Sequence, residues 1–145
     1  MNKKLIRNTP KIWLNDFPWK KSRDHKYSRG KIVILGSQKH MTGATILCAE
    51  SALRVGTGSV KILCSKKTLP IYSVKFPSVL KKEINNLKSL SKFIKNEKYS
   101  TYLIGPGAGS NHSTKQKTKL ILKKVKNVVV DADALTCFKK KPKEL

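Results

Sequence analysis

The sequence predicts an α/β protein with a mainly parallel sheet flanked by helices, and three observations carry that expectation. Short apolar runs bounded by turn residues, Lys31–Leu35 first among them, suit strands covered on both faces. Stretches with helical period lie between those runs. The residues of most chemical character, Gly36-Ser37, residues 105–109 and residues 131–133, each follow such a run, where parallel sheets bind their ligands.

Residues 1–29 read as an arm, with Pro10, Pro18 and scattered charge. Ile12, Trp13, Leu14, Phe17 and Trp19 are expected to dock it on the core, because aromatic area is costly to leave in water. Lys31–Leu35 is the first strand. From Thr42 the period changes: Ala44, Leu47, Cys48, Ser51, Ala52 and Val55 fall on one helical face, with Thr42 or Ser37 as the expected cap and Gly56 as the stop. Residues 58–64 return as a strand, which completes a right-handed parallel βαβ unit. Residues 65–86, broken by Pro70 and Pro77, carry no clear pattern. Leu87, Leu90 and Ile94 mark a short helix, and residues 102–104 a strand. Thr118, Ile121, Leu122 and Val125 then form an apolar helical face, with Lys115, Lys119, Lys123 and Lys126 on a solvated one. Val128–Val130 is the last strand.

Charge argues about partners rather than fold. The 145 residues hold 32 Lys plus Arg against 8 Asp plus Glu, a formal +24. That balance implies weak, nonspecific RNA contact. Yet 28 of the basic residues are lysines and only Arg7, Arg23, Arg29 and Arg54 can make bidentate base or phosphate contacts, and the lysines form no stripe. Dedicated nucleic-acid recognition is therefore disfavoured. Cys48, Cys64 and Cys137 have no CxxC spacing and leave an odd count, so a disulfide framework and a zinc site are not expected, and a reducing, cytoplasmic setting is. No apolar run reaches the length of a membrane span, and no membrane partner is expected.

Gly105-Pro106-Gly107-Ala108-Gly109 holds more glycine than a tight turn needs, which favours a ligand loop whose backbone N–H groups approach an anion. It lacks the third glycine spacing of a dinucleotide fingerprint. Asp131 suits a ligand hydroxyl, a hydrated Mg2+ or a neighbouring backbone N–H equally well, and Asp133 suits a helix cap. His25, His40 and His112 stand apart from one another, and no Walker A loop or nucleophile elbow is present.

Five segments in order carry a resemblance: residues 25–37, Met41-Thr42-Gly43-Ala44, residues 52–58, residues 104–109 and residues 130–135. Together they resemble the NAD(P)H-hydrate dehydratase family of the ribokinase-like superfamily. The resemblance implies a ribokinase-like α/β domain and a metabolite-repair lyase. Such an enzyme uses ADP or ATP, with Mg2+, to phosphorylate the hydroxyl of the hydrated nicotinamide ring, and phosphate then leaves to restore NADH or NADPH. It further implies that Ala44, Gly105, Gly107 and Gly109 contact the hydrated dinucleotide and that Asp131, the one possible catalytic group, lies near the reacting atoms. The family's later His-Pro-Gly-Glu, Lys-Gly and Gly-x-Gly-Asp segments do not occur here. The expectation is thus an arm over 1–29 and an incomplete, truncated ribokinase-like domain over 30–145, inactive alone and completed by a separately encoded second half or a homo-oligomer. A small-molecule kinase of the same superfamily and a basic RNA-associated protein are the alternatives.

Overall fold

Five short strands, each rich in Val, Ile and Leu or flanked by such strands, pair into one all-parallel sheet in this computed structural model, which describes residues 5–97 and 100–145. In chain order the elements are β1 (Lys31–Leu35), α1 (Thr42–Arg54), β2 (Ser59–Cys64), α2 (Leu69–Lys75), β3 (Leu80–Glu83), α3 (Leu87–Glu97), β4 (Thr101–Ile104), α4 (His112–Lys124), β5 (Val128–Val130) and α5 (Ala132–Thr136). The strand order is β3-β2-β1-β4-β5. After β1 the chain winds one way to β2 and β3, and after β3 it returns to the other side of β1 for β4 and β5. The order therefore reverses between β1 and β4, the place where an open parallel sheet leaves a crevice beyond its carboxyl ends.

Alternation along the strands feeds two cores. Val33, Leu35, Leu63, Tyr102 and Ile104 face Leu90 and Ile94 of α3 and Ile121 of α4. Ile34, Val60, Ile62 and Cys64 face Ala49 and Ala52 of α1 and Tyr72 of α2. The side of α1 that packs differs from the expected one. Thr45 and Ala49 are fully buried with Ala52, while Leu47 is 65% exposed and Val55 also faces solvent. Small side chains let this helix lie close on the sheet, and they carry the packing although larger apolar residues mark another face.

Three further expectations change. Neither Thr42 nor Ser37 caps α1; a 3-10 turn, Lys39–Met41, leads into it without a side-chain cap. Pro70, read as a breaker, sits in the first turn of α2, where its missing N–H has no intrahelical partner to lose. Trp13 and Trp19 do not enter the core: they are 42% and 60% exposed and lean on Phe17, with centroids 6.0 and 4.7 Å from its ring. The arm's end is held instead by Arg29, whose Nε donates to the Gly56 carbonyl at 2.6 Å. Among the described residues no helix is long and apolar enough to cross a membrane.

Candidate functional site

The crevice is built around Ser37, the second residue after β1. Its N–H donates to Thr45 Oγ1 at 2.9 Å and its Oγ donates to the Met41 carbonyl at 2.7 Å. Thr45 Oγ1 donates back to Ser37 Oγ at 2.9 Å, and the Tyr72 hydroxyl lies 3.2 Å away. This buried network is fully partnered, so it rigidifies the strand-to-helix turn. Gln38 N–H then donates to the Gly107 carbonyl at 2.9 Å, which ties the turn to the glycine loop after β4.

Two glycines of that loop are needed for stated reasons. Gly105 has φ +131°, and a Cβ on it would stand 1.7 Å from the Asp131 carbonyl oxygen. Gly107 has φ +65°, and its Cβ would meet the Ser37 and Met41 Cβ atoms at 2.8 and 2.9 Å. Both backbone angles strain any L side chain. A substitution at Gly107 thus disturbs the Ser37–Met41 turn as well as any ligand, and it would not leave the local fold untouched.

Asp133 does not cap a helix. Its Oδ2 accepts the Gly109 N–H at 2.8 Å, so the carboxylate holds the glycine loop. Asp131 is the N-cap residue of α5, with no side-chain cap bond, and it is exposed. The residue between them, Ala132, has φ +43°, an uncommon conformation for a residue other than glycine. Ala44 lies in the first turn of α1, near the Met41 that touches Gly107. One turn on, burial pushes the Cys48 thiol up from its ordinary value, and the Asp131 charge adds to that push. Gly105 thus stands against Asp131, Gly107 against Ser37 and Met41, and Gly109 against Gln38, with Ala44 one turn on from Met41 in α1. Among the described residues no three His, Cys, Asp or Glu side chains cluster to hold a metal ion.

On the other side of Ser37 the carboxyl ends of β1, β2 and β4 open into a cavity of about 300 Å³ beneath α3 and α4. Leu63, Leu90 and Ile104 line it, with Lys39, Lys67 and Lys117. Lys117 escaped the sequence reading. Its one legible signal is helical phase, since it shares the buried side of α4 with Thr114, Thr118 and Ile121.

A parallel sheet with glycine and aspartate loops at its order reversal defines a doubly wound α/β ligand-binding protein. Solved structures narrow this. A ribokinase-like superfamily protein from Enterococcus faecalis V583 superposes with a TM-score of 0.77 over 96% of this chain and 51% of that one, at 20% identity, which shows the fold. The ADP/ATP-dependent NAD(P)H-hydrate dehydratase of Bacillus subtilis, crystallised with ATP and Mg2+, matches with a TM-score of 0.69 and 26% identity over 81% of this chain and 42% of that one. The NAD(P)H-hydrate dehydratase family model matches residues 32–144, and the chain belongs to that family. Among curated relatives, the bifunctional NAD(P)H-hydrate repair enzyme of Dictyoglomus turgidum is 35% identical over 79% of this chain and 24% of its own length. The ADP-dependent (S)-NAD(P)H-hydrate dehydratase of Listeria monocytogenes is 28% identical over 91% and 48%. The chain spans about half or less of the length of these relatives.

Proposed function

We propose that this chain supplies the substrate wall of an ADP- or ATP-dependent NAD(P)H-hydrate dehydratase, which returns hydrated NADH or NADPH to the reduced dinucleotide. The observation that carries the reading is the seating of the glycine loop: Gly107 against Ser37 and Met41, Gly105 against Asp131. Gly36-Ser37, residues 41–44, residues 104–109 and residues 130–135 thus come together beyond the carboxyl ends of β1 and β4, beside the reversal of strand order, whereas residues 52–58 pack on Arg29 at the sheet's other end.

In this reading Ala44 and the backbone of residues 105–109 bind the hydrated dinucleotide. Asp133 keeps the loop in shape through the Gly109 N–H. Asp131 faces the crevice as an exposed carboxylate and accepts a hydrogen bond from the ring hydroxyl that must leave. When bound, ADP or ATP supplies the phosphoryl group that makes the hydroxyl a leaving group. Among the described residues no three His, Cys, Asp or Glu side chains cluster and Asp133 is engaged by Gly109, so in this reading the other groups that hold Mg2+ come with the nucleotide site. The groups that hold the nucleotide belong, in this reading, to polypeptide beyond these residues, either a separately encoded second half or further chain. Its place is beside β5 and the outer face of α1, where Val129 and Leu47 are exposed.

The test is an assay of hydrated NADH with ADP, on the purified chain and again after co-expression with the remaining half of a relative. No turnover is expected from the chain alone, and turnover is expected on complementation. In the complemented enzyme Asp131→Asn should lower kcat by about 100-fold or more, the usual scale for a positioned proton acceptor. Turnover by the chain alone would remove the need for a second half, and full activity of the variant would remove Asp131 from the mechanism.

A further inference from the structure

We propose that the cavity between the ends of β1, β2 and β4 and the helices α3 and α4 binds an organic phosphate, with its phosphate group on Lys39, Lys67 and Lys117 and its apolar body on Leu63, Leu90 and Ile104. The cavity adjoins the crevice of the dehydratase reading through Ser37, Gln38 and Ala108, which line it, but Ala44, Gly105, Gly107, Gly109 and Asp131 do not, and its lysines carry the inference without that reading.

The charge pattern is the first argument. Three lysines line the cavity and no Asp or Glu does. Among the described residues none of the three makes a side-chain hydrogen bond or an ion pair; Lys39 and Lys67 are exposed, and Lys117 is half-buried, as are Lys61 and Lys115, which are engaged. Lys61 bonds Glu97, and Lys115 and Lys119 both bond Glu144. Lys117 lies between the last two in sequence, but two residues along a helix is more than half a turn, so it projects to the opposite, buried side. A cation withdrawn from water without a partner is costly. Burial accordingly pulls the Lys117 ammonium below the usual lysine range.

The shape is the second argument. A volume of about 300 Å³ lies at the small end of ligand sites, enough for one phosphate ester and too little for a dinucleotide. Three ammonium groups, each with three donors, match the several oxygens of a phosphate dianion better than the two of a carboxylate. An apolar floor beneath a cationic rim asks for a ligand with a hydrophobic body, and inorganic phosphate alone would leave that floor uncovered.

The experiment uses the 145-residue chain, with phenyl phosphate as probe and inorganic phosphate and phenol as its two halves, followed through backbone amide shifts. Phenyl phosphate is expected to saturate with shifts centred on Ser37, Gln38, Ser65 and Lys117, and to bind about tenfold or more tightly than either half. Lys117→Met and Lys67→Met should each weaken it by about tenfold, the scale of one charge-assisted hydrogen bond. Lys123→Met, on the exposed face of α4, should not. Competition by NADPH at the same amides would assign the phosphate to the dinucleotide's own end; binding without competition would assign it to a separate metabolite, and both outcomes retain the site. Shifts scattered over the lysine surface, equal binding of phosphate and phenyl phosphate, or indifference to both cavity variants would overturn the proposal.

Discussion

At one edge of the sheet β3 reads Leu80-Lys81-Lys82-Glu83, and at the other β5 reads Val128-Val129-Val130. The first is made as an edge: lysines discourage a further strand, and Lys81 Nζ bonds the carbonyls of Phe76 and Val79. The second has no such protection. Val128 and Val130 pack on the α3–α4 core, yet Val129, paired in register with Leu103, is 50% exposed on the face that α1 does not reach. The difference teaches that β5 has the composition of an interior strand while standing at an edge, and that the crevice beside it is closed by this chain on one side.

The largest effect expected from this comparison lies at the seam that attaches β5. Gly105→Val puts a side chain into the Asp131 carbonyl and should cost about 4 kcal/mol or more, read as a lowered urea midpoint. A loss below about 1 kcal/mol would show that the seam does not hold β5 in place. Next come the edges themselves. At about 0.5 M salt, where the repulsion of a +24 chain is screened, Val129→Lys should reduce self-association while changing stability by less than about 0.5 kcal/mol. Lys82→Val should raise association from the other edge. Sedimentation velocity decides, and equal behaviour of the two variants would erase the contrast. The smallest effect belongs to Glu97, which joins α3 to β2 through Lys61. The hydrogen bond from Lys61 holds the Glu97 carboxyl below its ordinary 4.5. A depressed folded value means that the stabilisation is complete above that ordinary value and is lost as pH falls through the folded one. Glu97→Gln should flatten the stability profile in that acid range and cost about 1 kcal/mol at neutral pH, because the amide oxygen still accepts the Lys61 hydrogen bond.

Sequence reading found β1, β2, β4, β5 and the presence of α1, α3 and α4, because each of those signals is local: an apolar run, a helical period, a glycine stop. It missed α2 and β3. Pro70 starts a helix as readily as it breaks one, and an edge strand of lysines shows no apolar alternation. The buried side of α1 was misread because Thr45 and Ala49 are small, and closeness to the sheet is a tertiary fact that periodicity does not weigh. In the crevice the glycines were legible, since positive φ leaves a mark in composition. Asp133 was not, because its partner, the Gly109 N–H, is 24 residues away in sequence. Lys117 hid among lysines of the same helix, and only its phase sets it apart.

The placing of the aromatic rings settles how this molecule can be watched. Both of its tryptophans, Trp13 and Trp19, are in the arm and largely in solvent, whereas Tyr72 and Tyr102 are sealed in the two cores. Indole emission therefore reports the loosening of the Trp13–Phe17–Trp19 cluster and is nearly blind to the sheet. A denaturation curve recorded that way would describe the arm, and one recorded through tyrosine absorbance would describe the domain. Disagreement between the two midpoints would measure how far the arm and the sheet come apart as separate units.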